Sequence, residues 1–555
     1  MRLILPTLLL IFWSINGSAD HHAEASKISA NNLSDMVKVM ASDEFEGRAP
    51  GTPGEDKTVA YLIAQMKKIG LVPGGAEGSW TQAVPMMRSE VKPSAKMSFS
   101  NADTVLTLAQ GTSVSVDTAT ALTNIVATDI PVVFVGFGAN APEQDWDDYG
   151  EIDLTGKLAI FLVNDPDFAA EPQEAVAGRF GNRRMTYYGR WAYKFEEAAR
   201  RGALGALVIH ETEAAGYDWS VAAAGAGENV SLANKDPKAL PVTLQGWLHN
   251  DAAQELLAAA GHDLDALRNT ARQPEFQAFE LEGIRFDADL EVKITTFDSQ
   301  NVLGLLPGNE RPDEVIIASA HWDAYGIGAP DEQGRTVRAG ANDDALGSAG
   351  ILELARVIKA QPAMARSALF AFWTAEEAGL VGSMAYAADP IFPIEKTVAN
   401  FTLDILQTAG AAKDVILVGK GQSDLEDDLA RAAKAAGRYV TEENLPENGL
   451  FYRADHFSMA RVGVPVLLMM GIAGGADLVV GGREAGNQWI ADYIGNCYHK
   501  PCDAWSPDWD LTGAVQDIEL FRQLITELGG TTRWPAWKPG SEFKATREQS
   551  ASLRQ

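Results

Sequence analysis

Four short segments between Ser319 and Asp404 decide the fold and the chemistry: SAHWD at 319–323, GANDDALG at 340–347, TAEEAGLVGS at 374–383 and NFTLD at 400–404. In most of them an apolar run leads directly into a cluster of imidazole or carboxylate groups. An open α/β sheet presents its ligands outside the carboxyl ends of its strands. The stretch therefore predicts an α/β fold with a functional site at that edge of the sheet.

The sequence around these segments alternates between short apolar runs and stretches of helical periodicity. This alternation predicts a doubly wound, mostly parallel sheet with helices on both faces. The predicted strands are Val302–Leu306, Val315–Ser319, Ala368–Trp373, Thr397–Leu403, Val415–Val418 and Val466–Met470. The predicted helices are Asp344–Ala360, Leu380–Ala388, Leu425–Ala436 and Leu511–Leu528.

The first residues resemble an export signal. Arg2 is followed by an apolar run to Trp13 and by the small residues Gly17-Ser18-Ala19. A charge, a short apolar run and small residues, in that order, are typical of a secretory signal peptide, which we predict at 1–19. The alternative is an N-terminal anchor. We expect an exported protein that is either periplasmic or secreted.

Length, charge and cysteine content limit the classes of protein that fit. At 555 residues the chain exceeds what one hydrophobic core usually organises, so two or more domains are expected. Its net charge of −29 repels nucleic acid and anionic membranes. We therefore expect no nucleic-acid partner and no stable membrane insertion, while the oligomeric state stays open. The two cysteines, Cys497 and Cys502, suggest one local disulfide in an exported protein, with two free thiols as the alternative.

The middle of the chain differs in character from the rest. Its short apolar runs alternate with polar, turn-rich loops, and it contains no cluster of ligands or nucleophiles. We predict a signal peptide at 1–19, the first part of the main domain at 27–119, an inserted block at 120–284, the main part of that domain at 285–535, and a polar, loosely held tail at 536–555.

His321 and Asp343 have the surroundings expected of metal ligands. Zinc and similar divalent metals are held by imidazole and carboxylate groups. His321 follows a strongly apolar run, and Asp323, two residues later, can accept a hydrogen bond from its other ring nitrogen and orient the ring. Asp343 lies in a turn just before a predicted helix, where an aspartate is more often a helix cap.

The acidic pair Glu376–Glu377 lies just after a predicted strand, and Asp404 ends the next one. Adjacent side chains diverge at such a position, so one glutamate can bind a metal while the other faces a reacting water. Taken singly, such pairs are usually solvated surface. Four clusters in order along a parallel-sheet pattern indicate instead a hydrolase that holds two metal ions.

These motifs carry a family resemblance. HWD, GANDDALG, TAEEAGLVGS, NFTLD and YHKPCD occur in the order found in the di-zinc exopeptidases of metallopeptidase family twenty-eight, which the chain resembles over about residues 30–110 and 285–530. That family includes bacterial aminopeptidases and glutamate carboxypeptidase II. The block at 120–284 resembles a protease-associated domain, through DLTGKLAIFLV at 153–163 and AARRGALGALVI at 198–209.

The resemblance implies two zinc ions per chain and a role for each ligand. In that pattern one zinc is bound by His321 and Asp404, the second zinc is bound by Glu377 and His499, and both are bridged by Asp343. The same pattern makes Glu376 the general base and Asp323 the residue that orients His321. We therefore expect a zinc exopeptidase fold with an inserted β-rich protease-associated domain.

Several assignments around this set leave alternatives. His499 is preferred to His456 as the last ligand because it lies in the Tyr-His-x-Pro-x-Asp motif, which ends at Asp503. His456 is then a wall of the site, a residue behind the ligands or a buried loop histidine, and Asp503 is placed behind the ligands. Tyr452 is a candidate to hydrogen-bond the reacting oxyanion, or a core tyrosine. A Cys497–Cys502 disulfide would stiffen the loop of His499.

The expected function is an exported zinc-dependent aminopeptidase that hydrolyses peptide bonds with a water bridging two metals and a glutamate general base. One alternative is a carboxypeptidase or N-acyl amino-acid hydrolase. Such an enzyme needs a cation for the substrate carboxylate, and Arg335, Arg338 and Arg453 are candidates. Glutaminyl cyclase, with one zinc and no hydrolysis, and a non-catalytic receptor-like protein are further alternatives on the same fold.

Overall fold

The computed structural model describes residues 27–233 and 241–554, so the predicted signal peptide at 1–19 lies outside the described residues. The strands are β1 (Val72–Pro73), β2 (Thr81–Val91), β3 (Lys96–Ser100), β4 (Val105–Leu108), β5 (Val114–Asp117), β6 (Asn124–Phe134), β7 (Asn140–Ala141), β8 (Trp146–Asp147), β9 (Leu158–Leu162), β10 (Gly205–Ile209), β11 (Glu228–Leu232), β12 (Leu244–Leu248), β13 (Phe279–Leu306), β14 (Arg311–His321), β15 (Gly326–Ile327), β16 (Val337–Arg338), β17 (Arg366–Trp373), β18 (Thr397–Asp404), β19 (Asp414–Leu417), β20 (Tyr439–Glu442) and β21 (Val466–Met470). The α-helices are Ala30–Met40, Pro53–Ile69, Trp191–Arg200, Thr212–Ala215, Trp219–Ala224, Asn250–Ala259, Leu264–Ala271, Leu346–Lys359, Val381–Ala388, Leu425–Ala435, His456–Arg461, Gly482–Asp492, Thr512–Gly530 and Lys544–Glu548. Within these ranges no helix has both the length and the apolarity needed to cross a membrane.

The main sheet has the strand order β21–β18–β14–β17–β13, and its first four strands are parallel. Every residue of β17 and β18 is buried, as expected for parallel strands that are covered on both faces. Strand β13 runs antiparallel to β17, and β2 and β11 extend the sheet beyond it. The α/β class and the sheet predicted from the sequence are confirmed.

Helices cover both faces of this sheet. On β14, Ile316 and Ala318 pack into one core together with the helices Leu346–Lys359 and Thr512–Gly530. The alternate residues Val315 and Ile317 pack into a second core on the other face, as the two-residue period of a strand requires. The arrangement is that of a doubly wound domain, which leaves the strand ends open for a site.

A second sheet lies along the first half of β13, which is long enough at 28 residues to take part in both sheets. Strands β6, β9, β10 and β12 are parallel in it, and β5 closes one edge in the antiparallel sense. Strands β3 to β5, which precede residue 120, also belong to this sheet. The domain boundaries and the protease-associated identity of the block stay predictions.

Two expectations from the sequence need correction. The predicted strand Val415–Val418 forms as β19 but pairs only with β20, outside the main sheet. The tail after Trp534 is not loosely held, because Trp537 and Phe543 are buried in the core. The indole Nε1 of Trp537 also donates a 2.8 Å hydrogen bond to the carbonyl of Gly463. Aromatic side chains in a polar segment thus dock the tail on the main domain.

Candidate metal centre

The candidate ligands emerge from neighbouring strand ends. His321 is the last residue of β14, and Asp404 is the last residue of β18. The two strands pair with Ser319 opposite Thr402, so each ligand lies two residues beyond the same rung of the ladder. Glu376 follows the end of β17 by three residues, after a turn in which Ala375 has a positive φ of 52°. The sheet register therefore brings these groups to one edge.

The side chains form two groups that share one carboxylate. His321, Asp343 and Asp404 each offer a ligand atom, and these atoms lie within 4.8 Å of one another. Asp343, Glu377 and His499 form the second such group. Nε2 of His321 lies 3.1 Å from Oδ1 of Asp343, and Nε2 of His499 lies 3.4 Å from Oδ2. Each oxygen of Asp343 thus faces a different histidine, which is the geometry of a bridging ligand.

The donor chemistry of both groups fits zinc, which binds imidazole nitrogen and carboxylate oxygen. Burial raises the pKa of Asp404 to about 8, and the charge of Asp343 adds to this rise. Burial and Asp343 likewise raise the pKa of Glu377 well above its ordinary value. Oε1 of Glu377 is buried and has no hydrogen-bond partner among the described residues. The buried cluster therefore carries an excess of carboxylates that bound cations would neutralise.

Asp343 itself differs from its neighbours. Hydrogen bonds with the rings of His321 and His499 hold its pKa well below the usual value of an aspartate, against the effect of burial. Its carboxylate therefore favours the ionised form more strongly than the neighbouring carboxylates do. An ionised group is what a bridging position requires.

Glu376 lies beside both groups but belongs to neither. Its Oε2 is 4.0 Å from Nε2 of His321. Burial raises its pKa well above the ordinary value, and the carboxylates of Asp404 and Glu377 act in the same direction. Glu376 is therefore a carboxyl group close to the centre that is not committed to a ligand position.

Asp323 holds the turn that carries the two glutamates. Its Oδ1 accepts a 3.1 Å hydrogen bond from the backbone N–H of Glu376, and its Oδ2 accepts one of 3.4 Å from that of Glu377. Nδ1 of His321 lies 3.1 Å from the backbone carbonyl of Asp323 and 3.5 Å from its Oδ1. Asp323 thus contacts the histidine, as expected, and also positions the adjacent turn.

Asp503 holds the turn of the bridging residue. Its carboxylate accepts hydrogen bonds from the backbone N–H groups of Asn342 at 2.9 Å and Asp343 at 3.1 Å, and from the hydroxyl of Tyr493 at 3.1 Å. Burial raises the pKa of Asp503 to about 6. Its predicted place behind the ligands agrees with these contacts.

The loop of His499 is constrained on several sides. Cys497 and Cys502 form a disulfide, with their Cα atoms 4.9 Å apart, and they flank the ligand. The hydroxyl of Tyr325 lies 2.9 Å from Nδ1 of His499, and the ring of Tyr498 lies 3.6 Å from the imidazole. His499 also has a positive φ of 61°. These contacts fix the orientation of the only half-exposed histidine of the two groups.

Two further candidates lie apart from both groups. The hydroxyl of Tyr452 donates a 2.7 Å hydrogen bond to Oε1 of Glu542, and its ring packs against Phe457. His456 is fully buried with its ring against Phe451, and burial lowers its pKa to about 3. These contacts favour the alternative of a core tyrosine and a buried neutral histidine.

Arg48 is a buried residue behind the candidate ligands that the sequence analysis did not identify. Its fully buried guanidinium donates hydrogen bonds to the carbonyls of Trp322 at 2.7 Å, Met40 at 3.0 Å, Ala339 at 2.5 Å and Gly340 at 2.8 Å. It therefore ties the end of β14 to the turn that precedes Asp343. The signal in the sequence was a single basic residue in a Gly/Pro turn that also contains Asp43, Glu44 and Glu46.

Comparisons with known proteins bear on this centre. Residues 301–521 match the family model described as Peptidase family M28. Leupeptin-inactivating enzyme 1 of Streptomyces exfoliatus is 27% identical over 251 residues, which cover 44% of this chain and 51% of the relative. Aminopeptidase YwaD of Bacillus subtilis (strain 168) is 31% identical over 153 residues, which cover 26% of this chain and 31% of the relative. The chain thus spans about half the length of the first relative and about a third of the second.

Among solved structures, an aminopeptidase from Aneurinibacillus sp. strain AM-1 is 18% identical to this chain. The match covers 94% of this chain and 97% of the other, with a TM-score of 0.45. The family assignment does not depend on this likeness. It depends on the matched segment 301–521, which contains every residue of the two ligand groups. Residues 301–521 are thus the part of the chain that is similar to peptidase family M28.

Proposed function

We propose that the chain is an exported aminopeptidase that uses two zinc ions to hydrolyse the first peptide bond of its substrates. One observation carries this proposal: the carboxylate of Asp343 is shared by two groups of zinc-type ligands. A single metal would need only one of these groups. Two adjacent cations with a common carboxylate are the arrangement used by many hydrolases.

The ligands divide between the cations as follows. His321 and Asp404 would hold one zinc, Glu377 and His499 would hold the other, and Asp343 would contact both. When bound, such a pair of ions polarises the scissile carbonyl and makes a water acidic enough to react near neutral pH. The remaining catalytic work falls to side chains of the chain itself.

Glu376 is the proposed general base. A carboxyl whose pKa is raised by burial can accept a proton from the attacking water and return it to the departing amine, so the proton count balances over the reaction. Its Oε2 lies 4.0 Å from Nε2 of His321, at the edge of the ligand groups. The hydrogen bond from its backbone to Asp323 keeps it at that position.

The acidity of the site supports a substrate with a free amino terminus. Asp404 and Asp455 are buried at or beside the centre, Glu376 and Glu377 are partly buried there, and the charge of Asp455 adds to the raised pKa of Glu376. Such a site attracts a protonated amine. Both leupeptin-inactivating enzyme 1 and YwaD are named for peptide-directed activities, which agrees with peptide substrates for this chain.

Export is part of the proposal. The Cys497–Cys502 disulfide agrees with an oxidising compartment, because disulfides rarely persist in the cytosol of mesophiles. The composition of residues 1–19 agrees with the same destination.

The proposed function is tested with purified protein and four measurements. We expect two zinc ions per chain, release of p-nitroaniline from leucine p-nitroanilide but not from its N-acetylated form, and loss of activity with a chelator that zinc reverses. Glu376→Gln is expected to reduce kcat by roughly 10²- to 10⁴-fold while it keeps both zinc ions. The matched control is Glu255→Gln, an exposed glutamate on the helix Asn250–Ala259.

Each alternative function gives a different result. Hydrolysis of N-acylated substrates alone would identify a carboxypeptidase or N-acyl amino-acid hydrolase. One zinc per chain without hydrolysis would point to a glutaminyl cyclase. Bound zinc with no reaction on either substrate class would leave a receptor-like protein.

A further inference from the structure

A polar cavity of about 220 Å³ lies where the inserted block meets the main domain. One wall comes from the inserted block and the other from the segments around β19 and β20; the lining residues are Gly181, Asn182, Arg183, Arg184, Lys420, Glu442, Glu443 and Pro446. None of them belongs to the two ligand groups, so the cavity is separate from the candidate metal centre. A water takes about 30 Å³ in the liquid, so the cavity has room for about seven waters or one small organic molecule.

The two walls of this cavity are held together by direct contacts. The backbone N–H of Met185 donates a 3.1 Å hydrogen bond to the carbonyl of Pro446. The sulfur of Met185 packs so closely on Gly449 that it lies 2.6 Å from the position a Cβ would take there. Arg183 and Glu447 form an ion pair across the same boundary. The cavity is therefore a built feature of the contact between the two parts of the chain.

Glu443 brings an incompletely satisfied carboxylate to this cavity. Its Oε1 accepts a 2.8 Å hydrogen bond from the backbone N–H of Gly419. Its Oε2 is buried and has no hydrogen-bond partner among the described residues. A buried carboxylate oxygen without a donor is unfavourable, so such an atom calls for an additional partner.

Arg184 brings an unpaired cation to the same cavity. Its Nη1 lies 3.3 Å from the position that a Cβ would take on Gly421, and its side chain is only partly exposed. Over residues 27–233 and 241–554, no carboxylate pairs with Arg184 and no group accepts a hydrogen bond from its guanidinium. The carboxylates of Glu442 and Glu447, which lie nearby, pair with other cations.

The two charges are close together without meeting. Glu443 contacts Gly419 and Arg184 contacts Gly421, and these two glycines are two residues apart, which an extended chain spans in about 7 Å. Glu443 and Arg184 nevertheless do not pair with each other in the described part of the chain. A guanidinium matches a carboxylate, and a carboxylate accepts from an ammonium. A small molecule that carries both of these groups fits the gap between them.

We propose that this cavity binds a free α-amino acid, whose carboxylate pairs with Arg184 and whose ammonium donates to Oε2 of Glu443. The site goes beyond the proposed function and does not depend on it. Free amino acids are also the products of the proposed reaction. Their binding here would tie the docking of the inserted block to the concentration of product.

The first test is isothermal titration calorimetry on the full, zinc-loaded protein with three probes. L-Alanine carries both charges, alaninamide lacks the carboxylate and N-acetylalanine lacks the ammonium. Alanine is expected to bind about 10- to 100-fold more tightly than either analogue, the range for losing a hydrogen bond between charged groups. Equal affinities for the three probes, or no binding of alanine, would overturn the proposal.

The second test assigns the binding to the cavity. Arg184→Gln and Glu443→Gln are each expected to weaken alanine binding about 10- to 100-fold. His499→Ala changes the metal centre and is expected to keep this binding. Arg431→Gln and Glu255→Gln are the matched controls, since both side chains are exposed away from the cavity. Alanine binding that survives both cavity variants, or that only His499→Ala removes, would contradict the proposal.

Unfolding in urea separates a lost site from a damaged fold. Neither Arg184 nor Oε2 of Glu443 has a partner to lose, so both glutamine variants are expected to unfold at the wild-type urea concentration or above it. Saturating alanine is expected to raise the midpoint of the wild type, because a ligand that binds only the folded state stabilises it. The same rise in both variants would show that alanine acts elsewhere.

Failure of this site is distinguishable from failure of the proposed function. The binding and unfolding measurements involve no hydrolysis. If leucine p-nitroanilide is not cleaved while alanine binding depends on Arg184 and Glu443, the site stands and the aminopeptidase proposal is wrong. If the substrate is cleaved while alanine binding ignores both side chains, the reverse holds.

Discussion

Replacing Arg48 with lysine tests whether one buried cation organises the candidate metal centre from behind. The guanidinium makes four hydrogen bonds, to the carbonyls of Trp322, Met40, Ala339 and Gly340. Trp322 is the residue before Asp323, and Ala339 and Gly340 lie within four residues of Asp343, the candidate bridging ligand. The positive charge of Arg48 also interacts electrostatically with Asp323 and Asp343.

The magnitude follows from the donors that are lost. An ammonium has three donors on a flexible stem and lacks the planar fork, so at least one of the four hydrogen bonds is lost. A buried acceptor left without a partner costs about 1–3 kcal/mol. Arg48→Lys is therefore expected to lower the free energy of unfolding by about 1–3 kcal/mol. Arg48→Met leaves three carbonyls unpaired, because that of Gly340 also accepts a 3.1 Å hydrogen bond from the backbone N–H of Ala345, and its cost is expected to exceed about 3 kcal/mol, a large part of the stability of many proteins.

The assay combines urea unfolding with zinc binding. We expect Arg48→Lys to weaken zinc binding as well, because the turn before Asp343 loses its anchor. Arg431→Lys is the control, since this exposed arginine pairs only with Asp428 and Glu527 at the surface. If Arg48→Lys unfolds within about 0.5 kcal/mol of the wild type and binds zinc equally well, then Arg48 does not position the centre.

Three further predictions concern the metal count, the pH dependence of stability and the tail. His499→Ala is expected to reduce bound zinc from two ions to one per chain, because only one of the two ligand groups contains this side chain. Elemental analysis measures the zinc content. Loss of both ions would mean that the two groups do not bind zinc independently. Burial raises the pKa of Asp148 to about 7, above the ordinary value near 3.8, so the folded state binds an extra proton between about pH 4 and 7 and wild-type stability falls as the pH rises through that window. Asp148→Asn should make this fall shallower by the contribution of one carboxyl, since other buried carboxyls such as Asp503 also have raised pKa values, and urea unfolding at four pH values will measure the difference; parallel curves for both proteins would refute it. Trp537→Ala is expected to cost about 3–5 kcal/mol in the same assay, whereas a loosely held tail would give almost no change.

The sequence predicted the main sheet well for a physical reason. Parallel strands buried on both faces are continuous apolar runs, so β17 and β18 were located to within two residues at their ends. The segments that follow such runs then had to meet at one edge, whereas the assignment of His321 and Asp404 to the same zinc came from the family resemblance. Strand β19 was harder, because its apolar residues do not reveal which neighbour they pair with.

Contacts between remote segments were beyond the sequence. The tail looked loosely held because its composition is polar, but a few aromatic side chains are enough to dock it. The lone charge of Arg48 gave no indication of the four carbonyls around it, since backbone acceptors carry no signature in the sequence. The contribution of β3 to β5 to the second sheet was likewise invisible until the pairing was known.

The candidate ligands were named from the sequence alone, because metal ligation demands particular side chains and the family motifs that contain them are written in the chain. Only the tertiary structure decided that Asp343 lies between two histidines, and that Asp503 holds the turn that carries it. Local patterns specify which groups a strand end presents. The packing of separate elements against one another decides which distant group each of these side chains faces. No single stretch of the sequence contains that information.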